Sequence, residues 1–280
     1  MGNIITIDPK REASYSADKA LNMEAYLVVS RGQIQYAARP IDDNSTIYTA
    51  TAQLVNHPDG GMQQLFWEYP LFALPYKSTV ISVEDSSSFV VVPQDLLGSA
   101  SKEEWLGVAT GLSGRRVMSI DMEEERSTVI YSISQELFDF SQRSFSIPSY
   151  THCIVPLIRL AVTFTRRDVP RVVILMHLGE SINVVIATEG RLLLANRYKV
   201  ASDIDTLYYV TALYRQFKFS PQDTPLLVYS LEGRGKLLSL LGDIISDVRW
   251  NSYPYLSKEY QQNKVLTTIH QQLVLQLLCV

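Results

Sequence analysis

The chain has 280 residues, of which 46% are hydrophobic and 19% charged, and its net charge is −4. That composition excludes a disordered chain and allows one large domain or two lobes of about 100–150 residues. The acidic balance, with no run of Lys and Arg longer than two, leaves no electrostatic footprint for nucleic acid or an anionic membrane surface.

The two cysteines, Cys153 and Cys279, lie far apart in apolar surroundings. Too few for a disulfide framework or a zinc site, they read as small core residues in a reducing, cytoplasmic compartment. The N-terminus has no apolar segment of the secretory kind, and its match to the myristoylation pattern through Gly2 and Thr6 rests on six residues only. No apolar run reaches the roughly 18–20 residues that span a bilayer, so no membrane insertion is expected.

In chain order, Leu21 to Val55 supplies three runs rich in β-branched and aromatic residues, parted by turn sequences at Ser30-Arg31-Gly32 and Asp42-Asp43-Asn44. A helix is predicted from about Gly61 to Ala73, then strands at "KSTVISVED" and "SSFVVVP" and a short helix at "QDLLG". The acidic "DMEEER" (Asp121 to Arg126) reads as a solvated hairpin tip before the strand "RSTVIYSI". Helices follow at "SQELFDFSQRSF" and "THCIVPLIRLAVTF", and "TRRDVPR" (Thr165 to Arg171) reads as a link between two lobes.

From Val169 the plan repeats. "RVVILMHLGESINVVIATEGRLLLANRYKV" gives three strands with turns at Leu178-Gly179-Glu180 and Glu189-Gly190. Ser202 to Phe217 is a helix capped by Ser202 or Asp203, with an apolar face at Leu207, Val210, Tyr214 and Phe217. "TPLLVYS" is a buried strand, "GKLLSLLGDII" a helix and "DVRW" a last strand; the terminal "LVLQLLCV" docks as a core helix or strand. Both halves thus run β-β-β-α-β, with lobes expected over 1–150 and 151–280.

A duplicated unit of this order is the plan of the actin, Hsp70 and sugar-kinase superfamily. In that family the turn between the first two strands of each lobe carries an Asp-x-Gly-type sequence. Its acid holds Mg²⁺ or orients the attacking water. Here the turns read Ser30-Arg31-Gly32 and His177-Leu178-Gly179: Gly32 and Gly179 persist and both acids are gone. A hydroxyl and an imidazole replace a carboxylate poorly on a hard cation. Glu180 is expected on the solvent side of its turn, and Asp203 has ordinary work near a helix start. The adenosine-side turn of the superfamily corresponds to "LLVYSLEGRGKLL", where Gly233 and Gly235 open a helix beside Lys236. Any strand-to-helix connection also welcomes such glycines.

The four histidines (His57, His152, His177, His270) show no metal-ligand spacing, and no Ser or Cys sits in a recognisable triad pattern. The sixteen tyrosines, several in "YPYLSKEY", suit either a partner-binding surface or partly buried positions in sheets and loops.

Through "FVVVPQDLL", "HLGESINVVIATEGRLLLANRYKVASDIDTLYYVTALYRQF", "TPLLVYS" and "HQQLVLQLLCV" the chain resembles an uncharacterised bacterial family of unknown function with an actin-like ATPase fold. The resemblance implies an α/β protein of two duplicated actin-like (ribonuclease H-like) lobes. Each lobe would be a mixed sheet with a three-stranded antiparallel meander flanked by helices. They would be structurally similar to the cytoplasmic actin-like proteins of type II secretion and type IV pilus assembly. The expected function is a non-catalytic scaffold binding an unidentified protein partner. Gly32, Gly179, Gly233, Gly235 and Lys236 would line a vestigial nucleotide cleft, with no metal and at most weak ATP or ADP binding. The alternative is a nucleotide-binding switch or ATPase with altered phosphate and metal ligands.

Overall fold

In the computed structural model, which describes residues 3–6, 17–30, 33–43, 46–53, 69–84, 89–110, 115–230, 235–256 and 271–279, each meander is built from runs rich in apolar and β-branched residues. The chain divides into two units, one of Met1–Cys153 and Leu256–Val274, the other of Ile154–Tyr255 and Leu275–Val280.

In the first unit, β1 (Asn3–Thr6) lies parallel to β4 (Thr46–Gln53), which belongs to the antiparallel meander of β2 (Met23–Ser30), β3 (Gln33–Pro40) and β4. Two further strands, β5 (Ser78–Val83) and β9 (Pro148–His152), extend the sheet in parallel beyond β2, giving the order β1-β4-β3-β2-β5-β9. Between β5 and β9 the chain builds a separate antiparallel sheet, β6-β8-β7, from β6 (Phe89–Pro93), β7 (Arg115–Met122) and β8 (Ser127–Ser134). Of "DMEEER", Glu123 to Arg126 form the tip of the β7–β8 hairpin, with Arg126 in the left-handed region at φ 51°, while Asp121 and the buried Met122 end β7. The helices Lys102–Thr110 and Gln135–Ser144 accompany this sheet.

The second unit carries β10 (Arg171–His177), β11 (Ser181–Thr188), β12 (Arg191–Lys199), β13 (Leu226–Ser230) and β14 (Val248–Trp250) in the order β12-β11-β10-β13-β14. Strand for strand this repeats β4-β3-β2-β5-β9, with the same two antiparallel and two parallel pairings. The two units are therefore copies of one topology. Because β10 is buried along six of its seven residues, it reads as a continuous apolar run rather than an alternating one. One sheet face, through Val173, Leu175, Val184, Ile186, Leu226 and Val228, packs on the helices Asp203–Gln216 and Gly235–Gly242. Burying each such side chain contributes about 1.5–3 kcal/mol, which fixes the register of the meander. The helix Ile154–Arg167 packs against β10, β11 and β12.

Several expectations need correction. Thr151 and His152 belong to β9, and the apolar helix begins at Ile154, with Pro156 in its first turn where an N–H would lack a partner. The boundary between units falls at Cys153–Ile154, so Thr165 to Arg171 joins a helix to β10 inside the second unit and does not link the two. "QDLLG" forms a 3₁₀ segment, Gln94–Ser99. Of the helix predicted from Gly61 to Ala73, only the end lies within the described residues, as the 3₁₀ turn Pro70–Ala73. The C-terminus docks through Gln271–Val274, whose side chains are buried, followed by a π-helical turn at Leu275–Cys279. Among the described residues no helix is long and apolar enough to cross a membrane.

Candidate functional site

The second-unit turn starts from the end of β10. His177 is its last residue, 9% exposed, paired with Ile182 on β11 and Ser230 on β13. The chain then reverses over Leu178–Ser181, closed by the Leu178 N–H donating to the Ser181 carbonyl at 2.8 Å. Gly179 has φ +73° at the first central position, the place that a type II′ hairpin turn reserves for glycine. A Cβ there would meet nothing within 4 Å, so the glycine answers to backbone conformation and its surroundings are open. Glu180 is exposed, as expected of the turn's solvent side.

Because β10 and β13 are parallel, their carboxyl ends lie side by side, where ligands of open α/β sheets gather. This brings His177, the Gly179 turn and the end of β13 to one edge. From β13 the chain runs to Gly235, φ +27°, which opens the helix Gly235–Gly242 with Lys236 exposed in its first turn. Gly233 lies outside the described residues.

One residue at this edge has no sequence signature. Asn251, φ +45°, follows β14 and turns its carboxamide onto Ser230: Oδ1 accepts the Ser230 N–H at 3.0 Å and Nδ2 donates to its carbonyl at 3.0 Å. The Asn251 N–H donates to the Val228 carbonyl at 2.7 Å, so a side chain extends the β13 ladder by one rung. Next to it the Tyr229 hydroxyl donates to the Ser252 carbonyl at 2.5 Å, and the Tyr229 and Tyr253 rings lie 5.4 Å apart. The backbone polar groups of Ser230 are thereby committed within the protein.

At the corresponding first-unit turn, Ser30 is the last residue of β2 and its hydroxyl donates across the hairpin to the Gln33 carbonyl at 3.2 Å. Gly32 lies outside the described residues, as do His57 and His270. The helix Asp203–Gln216 is capped by Ser202, whose Oγ accepts the Asp205 N–H at 3.2 Å, while Asp205 accepts the Ala201 N–H at 2.9 Å. The arginines of "TRRDVPR" do not gather on one point: Arg167 lies over the Tyr255 ring and Arg171 over that of Phe219. Among the described residues, no three His, Cys, Asp or Glu side chains are placed to hold a metal ion.

Two units of one sheet order, each with its meander turned at the carboxyl end of its first strand, define an actin-like ATPase fold. The family described as "Protein of unknown function (DUF3822)" matches residues 29–242, and the chain belongs to that family. Among solved structures the chain is similar to a Bacteroides thetaiotaomicron protein with actin-like ATPase fold and unknown function. The TM-score is 0.77 at 17% identity, over 92% of this chain and all of that one. It is also similar to a chain of the PilM-PilN type IV pilus biogenesis complex, with a TM-score of 0.53 at 12% identity over 91% and 97% of the two chains. These likenesses concern the fold. No curated protein matches the chain.

Proposed function

We propose that this chain is a non-catalytic actin-like scaffold that binds another protein, its nucleotide site having lost the chemistry of phosphoryl transfer. The observation that carries the reading is the donor set at the two equivalent turns. At the turns that correspond, by resemblance, to the superfamily's Asp-x-Gly loops, the acid positions hold Ser30 and His177, at the ends of β2 and β10. A hydroxyl already donating within its own hairpin and a nine-tenths buried imidazole do not fit a hard divalent cation. Without that cation, charge developing on a transferred phosphoryl group lacks its main stabiliser. The commitment of Ser230 to Asn251 adds support, because it removes a strand-end N–H from any phosphate. The likeness to a chain solved within the PilM-PilN complex supports a protein partner for this one.

A second reading, a nucleotide-binding switch with altered ligands, is favoured by the open space around Gly179 and by exposed Lys236 at the same sheet edge. In that reading Gly179, Gly233, Gly235 and Lys236 hold the anion. Titration calorimetry with Mg-ATP, Mg-ADP and the metal-free nucleotides separates the two. Metal-dependent binding tighter than about 100 µM, or about −5.5 kcal/mol, overturns the scaffold reading. Silence at millimolar nucleotide overturns the switch.

A further inference from the structure

Away from the strand ends, the second unit carries an apolar groove of about 380 Å³ between the helix Asp203–Gln216 and a wall that includes Phe219, Pro221 and Ile244. Three of the large hydrophobic side chains most exposed among the described residues stand on it: Ile204 at 54%, Tyr208 at 66% and Ile244 at 41%. Ile204, Tyr208, Thr211 and Arg215 all line the groove and follow one another at spacings of four, three and four, so they form a single stripe along the helix. The apolar surface continues beyond it, since Tyr208 packs edge-on against Tyr209 at 5.6 Å and Tyr209 stacks on Tyr198 at 4.6 Å.

We propose that its occupant is a second copy of this chain, docked through the same stripe in an isologous twofold dimer. The stripe complements itself when reversed. With two such helices antiparallel about an axis between Tyr208 and Thr211, the large Tyr208 ring meets the small Thr211 of the other copy, a ridge set into a groove. Ile204 then meets the aliphatic stem of Arg215 from the other copy. Beyond that stem the guanidinium reaches the first helical turn, where Asp203 and Asp205 flank Ile204. Among the described residues no hydrogen bond, ion pair or ring contact engages the Arg215 guanidinium, so it is available to a partner. Acids at one end of the stripe and a cation at the other are the charge pattern that an antiparallel copy satisfies twice. A parallel arrangement would oppose like charges.

Sedimentation equilibrium of the purified full chain between about 1 and 100 µM tests this, the range over which a moderate dimer dissociates. The expected result is a monomer–dimer equilibrium that Tyr208→Ala weakens by about 30-fold or more, the ~2 kcal/mol of a hot-spot residue. Arg215→Glu weakens the dimer as well, and adding Asp203→Arg to the same chain restores it, because each reversal meets the other across the twofold. Ile244→Asp, on a different element, produces the same loss should Tyr208→Ala disturb the helix. Leu96→Ala, an exposed hydrophobic in the first unit, leaves the equilibrium unchanged. A monomer throughout the range overturns the proposal, as does a dimer indifferent to both Tyr208 and Arg215. A pure chain that stays monomeric while its groove takes up a different protein overturns it too.

Discussion

The Asn251 carboxamide pairs with both backbone groups of Ser230, at 3.0 Å each, and so ends β13 with a side chain where a neighbouring strand would otherwise continue. Asn suits this place twice over. It tolerates φ +45° better than other residues with a Cβ, and its amide carries a donor and an acceptor side by side. Asn251→Ala removes both bonds and leaves two buried backbone groups in need of water, so a loss of about 2–3 kcal/mol is expected. Asn251→Asp keeps the acceptor but sets a carboxylate against a carbonyl, and loses about as much. Urea unfolding measures both. A change below about 0.5 kcal/mol in each would mean that solvent replaces the amide at no cost.

Gly179 gives a different expectation, because its surroundings are open and only its backbone is special. Gly179→Ala meets no atom within 4 Å, so its cost is that of φ +73° for a residue with a Cβ, about 1–2 kcal/mol. Gly179→Asn costs less, by the same reasoning. A much larger loss from alanine, read in the same unfolding experiment, would point to steric crowding that the geometry lacks.

The contrast between these two residues marks what a sequence can disclose. Turns declare themselves locally: Glu189-Gly190 holds φ +47° and +73°, the two positive values that a type I′ hairpin requires, and the dipeptide was readable without any partner. The continuous run of β10 and the Ser202 cap were legible for the same reason. β9 was not, because "PSYTH" is short, opens on Pro and lacks an apolar pattern, and it becomes a strand through parallel pairing with β5, more than sixty residues earlier. β7 was missed on similar grounds, its residues mostly half-buried, with Arg, Ser and Asp interrupting the apolar pattern. Asn251 meets Ser230 across 21 residues of sequence, and nothing near it announces the encounter. Local chemistry named Gly179 and Gly235; only the fold showed that the turn of one follows β10 and the helix of the other follows β13, two strands that lie parallel.

The Ser202 cap is a variant of the capping box: Ser202 accepts from Asp205, and Asp205 accepts from Ala201, one residue before the cap. Ser202→Ala should cost about 1 kcal/mol and fray the first turn, where Ile204 begins the exposed stripe. Hydrogen exchange at Asp205 and Thr206, faster in the variant than in the parent, reports the fraying. Unchanged exchange would show that water caps the helix equally well.

Buried phenols make the fold sensitive to alkali. Burial chiefly pushes the Tyr26 hydroxyl up to about 12, aided by the Glu24 carboxylate that accepts its proton at 2.9 Å and opposed by Arg39. Burial raises Tyr131 and Tyr214 as well. A raised folded value means that the fold favours the neutral phenol. The stability it confers is fully present below the free phenol's value near 10 and is lost as pH climbs through the folded value. Unfolding free energy should therefore decline between about pH 10 and 12, with Tyr26→Phe removing part of the decline. Tyrosinate absorbance provides an independent check, since all sixteen tyrosines ionising together near pH 10 in the folded chain would contradict it.

The identity of the two turn residues can be tested by placing there the acids that the proposed correspondence with Asp-x-Gly loops calls for. Ser30→Asp places a carboxylate at the end of β2, and His177→Asp does the same at the end of β10. If these turns correspond to the Asp-x-Gly loops, the double variant should acquire nucleotide binding that strengthens on adding Mg²⁺, while the parent remains indifferent to the metal. His177 is the more demanding position: 9% exposed, it asks a carboxylate to ionise in a partly buried site, so His177→Asp alone is expected to lose about 1–3 kcal/mol of stability. Added Mg²⁺ should then recover part of that loss, because a cation bound to the folded state stabilises it by mass action. Melting temperature with and without Mg²⁺ reads this without any nucleotide. A double variant that folds, yet responds to the metal in neither melting nor nucleotide titration, would break the correspondence of the turns. The reading of Ser30 and His177 as lost acids would go with it.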